Sequence, residues 1–185
     1  MSFDLKICIF VILSFGLAWL SRHTLRVHRS HGFFHFFTWE AVLILALINI
    51  DYWFIDPFTR NQFISWVLLF ISVIYVTFGM ISLKREGKPS NQRIDPLLIG
   101  VEKTTSLAKI GAYKYIRHPI YGSFIFGAWG ILFKNISWHS LVIAVNVTIL
   151  TVITALREEA ENIQYFGNEY IDYKKQTRMF VPFII

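Results

Sequence analysis

Cysteine, charge and glycine-rich turns are all scarce in this chain, and each scarcity closes off a class of protein. The single cysteine, Cys8, leaves no disulfide framework and no thiolate metal centre. It lies within an apolar run, which gives it a packing role. Only 16% of the residues are charged, too few for a soluble domain of this length. No strand leads through a glycine-rich turn into a helix, so a doubly wound nucleotide-binding fold is excluded. Internal repeats and low-complexity tracts are missing too. The N-terminus has no basic stretch ahead of a small-residue cleavage site, so the first apolar run is expected to be retained.

What the chain has in abundance is apolar surface. Of its 185 residues, 55% are hydrophobic and 17% aromatic, and the mean hydropathy is +0.49. The apolar residues cluster in five runs, at 5–20, 33–50, 63–83, 120–133 and 136–156. Against the ~20 residues that cross a bilayer, the third and fifth are full length. The first and fourth need flanking aromatics or tilted neighbours to complete a crossing. Only Lys134 and Asn135 separate the last two runs, which predicts a tight antiparallel hairpin. The expected fold is an all-α integral membrane protein of about five transmembrane helices, a single domain over residues 1–185.

The net charge of +6 is explained by topology and not by a nucleic-acid partner. With five spans and the N-terminus outside, all but three of the 18 Lys and Arg residues fall on one side. The exceptions are Lys6, Arg60 and Lys134. This bias orients the protein with its C-terminus in the cytoplasm. Its basic face suits anionic lipid headgroups.

Two polar regions share that face. The loop 84–119 is turn-rich in its first half, with Gly87, Pro89, Asp95-Pro96 and Gly100. From Arg157 onward, Ile163, Phe166, Tyr170 and Tyr173 recur at spacings of three and four, which predicts a C-terminal amphipathic helix bent at Gly167. The apolar end, 180–185, should dock back on the protein or bilayer. In the fourth run, Ser123, Gly127 and Gly130 let a neighbouring helix approach closely.

The residues that could carry chemistry lie at the edges of the last two spans. Pro119 suits the first turn of a helix, whose backbone N–H groups then face outward toward an anion. Arg117 and His118 sit beside them, and Glu158-Glu159 comes to the same end of the hairpin. This set matches a ligand with a carboxylate, ribose hydroxyls and a cationic centre. The helix start and His118 take the carboxylate, a glutamate accepts the hydroxyl protons, and aromatic rings face the cation.

Two motifs carry a family resemblance. One is Leu107-x-x-x-Gly111-x-Tyr113-x-x-x-Arg117-His118-Pro119-x-Tyr121. The other runs from Glu158-Glu159 through Tyr165-Phe166-Gly167-x-Glu169-Tyr170-x-x-Tyr173-Lys174-Lys175 to Val181-Pro182-Phe183. Together they cover 105–185 and resemble the integral membrane methyltransferases grouped with isoprenylcysteine carboxyl methyltransferase and the phospholipid methyltransferases. The resemblance implies S-adenosylmethionine as methyl donor, held by a cytoplasmic cofactor-binding loop within a catalytic region 84–185. Residues 1–83 become the variable, acceptor-side spans.

Carried over by residue, the cofactor contacts fall on Thr105, Ser106, Leu107, Ala108, Tyr113, His118, Pro119, Ile120, Tyr121 and Glu158. Arg117 and Glu159 are the candidate catalytic residues. A carboxylate acceptor could be held bidentately by an arginine, whereas an amine needs a base, for which Glu159 is the candidate. The acceptor is expected to be lipophilic and to enter from the bilayer.

Three positions depart from the family pattern. Thr105 stands where isoprenylcysteine enzymes often have His, Ala112 replaces a common Pro, and Thr154 replaces an acceptor-side Arg. Arg157 is the candidate substitute. The preferred acceptor is therefore a lipid or isoprenoid-linked molecule, with a prenylated protein or peptide carboxylate as the alternative. A non-enzymatic transporter subunit or assembly factor is the rival of another class.

Glu40 and His35 lie in or near the second run, where an ionisable residue points to function; an acceptor-site role is the hypothesis for them. Asn49 and Asn146 are expected to bond between helices. His23, His28 and His31 have no acidic or thiol neighbours in sequence, so no metal site is expected there. His139 is expected at the interface.

Overall fold

Four of the apolar runs start as helices for the same local reason, a hydroxyl that accepts from a backbone N–H of the first turn. Ser2 caps α1 (Phe3–Leu20), Ser30 caps α2 (His31–Asn49), Thr59 caps α3 (Arg60–Glu86) and Ser137 caps α5 (Trp138–Phe166). The remaining one, α4 (Pro119–Leu132), has no side-chain cap and starts instead on Pro119 in its first turn. A break at Gly167 separates α5 from α6 (Asn168–Gln176). This computed structural model describes residues 1–88 and 104–183. Pro89, Asp95, Pro96, Gly100 and the last two residues of the apolar end lie outside the described residues.

The protein is an all-α integral membrane protein. Helices α1, α2, α3 and α5 are long and apolar enough to cross a membrane, and α4 is the shorter apolar helix. Its 14 residues rise only ~21 Å at 1.5 Å per residue, less than the ~30 Å hydrocarbon core. Helix α5 continues to Phe166, ten residues beyond the apolar run that predicts it, and carries both glutamates. Gly167 ends it at φ +61°, a conformation that L side chains rarely adopt. The bend expected there is thus a full stop.

Helix α4 sits between α3 on one face and α2 with α5 on the other. Ser65 Oγ donates to the Gly130 carbonyl at 2.7 Å and Ser72 Oγ to the Ser123 carbonyl at 2.8 Å. Those distances are reached because α4 is small-sided toward α3. On the other face Phe124, Ala128, Ile131 and Leu132 join Leu45, Ala144 and Val147 in the main core. Asn49 Nδ2 donates to Ser140 Oγ at 3.0 Å across α2 and α5, as expected. Asn146 instead lies exposed on α5, and His139 is exposed at its start.

The short α4–α5 turn closes over a buried cation. Lys134 is 5% exposed. Its Nζ lies 2.9 Å from Gln62 Oε1, 3.4 Å from the Trp53 carbonyl and 3.4 Å from the Trp66 ring centroid. Helix α1 is the opposite case: it buries no residue. Ser14 Oγ donates to Glu40 Oε2 on α2 at 2.6 Å, and Lys6 pairs with Asp51 at 2.6 Å.

Candidate active site

The Arg117-His118 segment is held by backbone hydrogen bonds before α4 begins. Residues 115–118 pair with the chain beyond α6: Arg117 N–H donates to the Arg178 carbonyl at 2.7 Å and His118 N–H to the Met179 carbonyl at 3.0 Å. Arg178 N–H returns a bond to the Tyr115 carbonyl at 3.0 Å. Phe180, 5% exposed, then packs with Tyr121 and Ala155. The apolar end therefore docks on the protein through its described part.

Upstream, Glu86 at the end of α3 accepts from the backbone N–H groups of Lys109 and Ile110, both at 2.7 Å. Gly111 follows at φ +62°, and a methyl group there would lie 2.3 Å from Ser82 Oγ. Only glycine fits. The approach turns Tyr113 inward, where its carbonyl accepts from the Tyr173 hydroxyl at 2.7 Å.

The two sequence motifs meet as a network of buried charges. Arg117 Nε donates to Glu159 Oε1 at 2.7 Å, and Lys174 Nζ lies 2.5 Å from Glu159 Oε2. Arg117 Nη1 donates to the Lys174 and Thr177 carbonyls. His118 Nδ1 is 3.3 Å from Glu158 Oε2 and its Nε2 is 3.4 Å from Glu159 Oε1. Burial alone would pull the His118 ring down, but hydrogen bonds and attraction from both glutamates outweigh it and hold it above its ordinary value. The ring stacks on Tyr121 at 5.5 Å and 11°.

Beside this network lies a cavity that opens in part to solvent. Of the residues carried over from the family, it is lined by Ser106, Leu107, Ala108 and Tyr113, by His118, Ile120 and Tyr121, and by Glu158 and Arg117. Thr105 stays outside the lining, its Oγ1 donating to the Lys88 carbonyl at 2.9 Å. Pro119 is also outside it, starting α4. Glu159 lies behind the cavity wall, 2% exposed and taken up by Arg117 and Lys174.

The two acceptor-side candidates are not brought to the cavity. Glu40 faces α1 through Ser14. Arg157 is exposed, its guanidinium 5.9 Å from the Phe34 ring centroid. Thr154 is buried and bonds back to the Leu150 carbonyl at 2.8 Å.

Other residues complete the lining. Asn162 and Phe166 follow Glu158 at one-turn intervals on α5, and Tyr170 and Tyr173 come from α6. Burial, with Glu158 and Glu159 adding to it, pushes the Tyr170 phenol far up. Burial does the same at Tyr173. Both remain hydrogen-bond donors. Their spacing was visible in the sequence as an apolar stripe, a pattern that reads as packing. His35, Leu83 and Thr104 close the remaining side.

His31 has an acidic partner far from it in sequence. Its backbone N–H donates to Glu161 Oε1 at 3.0 Å and its Nδ1 bonds Glu161 Oε2. The acidic partner comes from α5, 130 residues away. Among the described residues no group of three or more His, Cys, Asp or Glu side chains could hold a metal ion.

No family model matches the chain. It is similar to methanethiol S-methyltransferase 1 of Bradyrhizobium diazoefficiens, 33% identical over 123 residues, 65% of this chain and 40% of that protein. It is 37% identical over 79 residues to protein-S-isoprenylcysteine O-methyltransferase of Saccharomyces cerevisiae, 42% of this chain and 33% of that one. Over the matched parts the chain is similar, at modest identity, to isoprenylcysteine carboxyl methyltransferase-like proteins. A further relative, methanethiol S-methyltransferase of Pseudomonas deceptionensis, is 26% identical over 125 residues, 67% of this chain and 44% of that protein. The chain thus spans less than half the length of these curated relatives.

Proposed function

We propose that this protein transfers a methyl group from S-adenosylmethionine to a lipophilic acceptor that reaches the cavity from the bilayer. One observation carries the proposal. Residues of two motifs, 37 or more positions apart in sequence, line a single cavity in which His118 and Glu158 are paired. The donor set suits the cofactor. His118 and the first turn of α4 offer N–H groups to a carboxylate, Glu158 offers acceptor oxygens to ribose hydroxyls, and Tyr113, Tyr121 and Phe166 offer rings to a cation. When bound, S-adenosylmethionine supplies an already activated methyl group. The protein's part is alignment and exclusion of water.

Arg117 holds Glu159 in place, and so keeps His118 between two carboxylates. The names of the relatives cover a thiol and a prenylated carboxyl acceptor. A prenylated carboxylate is disfavoured by Thr154 and by Arg117, whose Nε and Nη1 are already committed. A lipid or isoprenoid-linked acceptor remains the preferred class. The positive-inside bias supports a cavity on the cytoplasmic side.

The test is a titration of the detergent-purified protein with S-adenosylmethionine and S-adenosylhomocysteine. Binding is expected in the wild type. For His118→Ala and Glu158→Ala, losing a charged hydrogen bond of ~1.5–3 kcal/mol weakens it roughly 10- to 100-fold or more. A folded wild-type protein that binds neither compound would sink the proposal. Tracing a labelled methyl group into extracted lipid or into protein then identifies the acceptor class, and label found only in protein would defeat the preferred one.

A further inference from the structure

Thr104, Ser106, Leu107 and Ala108 line the cavity from a segment that has no helix of its own. A segment outside regular structure takes its position from whatever receives its backbone groups. Here the receiver is a single turn at the end of α3. The N–H groups of Thr105 and Ser106 donate to the Gly87 carbonyl at 2.9 and 3.3 Å. Ser106 Oγ donates to the Glu86 carbonyl, and Thr105 Oγ1 to that of Lys88. Beyond Leu107 and Ala108, the Lys109 and Ile110 N–H groups both donate to one oxygen, Glu86 Oε2, at 2.7 Å. One turn back on α3, Ser82 Oγ accepts from the Ala112 N–H at 3.3 Å. The cavity-lining stretch thus hangs between two sets of bonds, and Glu86 supplies a group to each. The outer tie, Lys109 Nζ to Glu169 at 2.7 Å, is 46% and 55% exposed at its two ends, where an ion pair contributes little.

We infer that Glu86 is a positioning residue for the methyl donor, its carboxylate fixing the 104–108 wall relative to His118 and Glu158. The inference rests on the proposed methyl transfer, and adds to it a residue that lies outside both sequence motifs and outside the cavity lining. Glu86 acts through Leu107 and Ala108, whose places follow from the bonds on either side of them. A wall held before the donor arrives leaves no ordering cost to be met from binding, whereas a loose wall must be ordered at each encounter. Because two backbone donors converge on one oxygen, the position needs an acceptor at the right reach and not a negative charge. That requirement gives the role a signature. Glutamine keeps an amide oxygen at the reach of the carboxylate while losing the charge. Aspartate keeps the charge and falls short by one methylene.

The experiment titrates full-length protein in detergent with S-adenosylhomocysteine and follows backbone hydrogen exchange in the same samples. Glu86→Ala should weaken binding roughly 3- to 10-fold, the worth of about one net hydrogen bond. Exchange at the Lys109 and Ile110 amides should quicken, with the amides of α4 and α5 unchanged. Glu86→Gln should bind within about twofold of wild type, because the acceptor oxygen is kept. Glu86→Asp should lose affinity in the direction of Glu86→Ala despite its charge, and as the milder change it repeats the comparison independently. A carboxylate that acted through its charge would give the reverse order for Gln and Asp. Unchanged affinity in Glu86→Ala overturns the inference while the proposed function stands. So does a Gln variant as weak as the Ala variant, and so does exchange that quickens throughout α4 and α5, the mark of general loosening. Wild-type protein that binds neither S-adenosylhomocysteine nor S-adenosylmethionine defeats the proposed function itself.

Discussion

The two ends of the α4–α5 hairpin each bury positive charge, and they do so in opposite ways. At one end Arg117 and His118 meet Glu158 and Glu159. At the other, Lys134 has no carboxylate within ion-pairing distance among the described residues, and rests on Gln62, a carbonyl and two tryptophan rings. The consequence for protonation differs accordingly. Paired carboxylates hold His118 above its ordinary value, whereas burial pushes the Lys134 amine down. The Lys134 end is a clasp whose ammonium is spent on holding helices together. The His118 end contains both signs of charge next to empty space, an arrangement that can exchange one partner for a charged guest.

The contrast breaks most visibly at Glu159. Glu159→Leu leaves Arg117, 8% exposed, without its carboxylate, and removing one partner of a buried pair costs about 3–5 kcal/mol. The thermal midpoint in detergent should fall by at least ~6 °C, with part of it recovered in Arg117→Met/Glu159→Leu. A midpoint within a degree of wild type would show that the network carries no structural weight.

A smaller effect comes from pH. The folded His118 ring titrates above its ordinary value of 6.5, so its contribution to stability is complete below that pH and is lost as pH rises through the folded value. The groups facing it are Glu158, Glu159 and the Tyr121 ring. Wild-type protein should lose thermal stability across that window, and His118→Gln should lose less. Parallel pH profiles for the two proteins would remove His118 from the account.

Smallest of the three is Lys134→Met. It removes a buried ammonium but strands Gln62 Oε1, for about 1–2 kcal/mol. A loss as large as that of Glu159→Leu would erase the difference between the two ends.

Helices and their order were readable from apolar runs and capping hydroxyls, because both are local signals. Where α5 ends was less readable: its last ten residues are polar enough to drop out of the apolar run, yet the helix continues to Gly167. The cavity was readable where a motif marks it, as at His118 and Glu158. It was not readable where placement depends on packing between helices. His31 and Glu161 are 130 residues apart, and nothing local joins them. Glu40 and His35 are five residues apart on one helix, about 140° around its axis, so one faces α1 and the other the cavity. Tyr170 and Tyr173 showed their periodicity plainly, but a buried stripe and a cavity roof have the same spacing.

The pairing of Arg117 and His118 with Arg178 and Met179 has a consequence for how the molecule is made. Helices of a membrane protein emerge from the ribosome in order, and the His118 segment is synthesised well before its partners. Until α5, α6 and the segment after them have followed, Arg117 lacks Glu159, His118 lacks both carboxylates, and the backbone ahead of α4 lacks its bonds to Arg178 and Met179. Closure of the cavity therefore waits for α5, α6 and the segment after them, and a nascent chain halted within α5 would hold all of the first motif with nothing to fold it against.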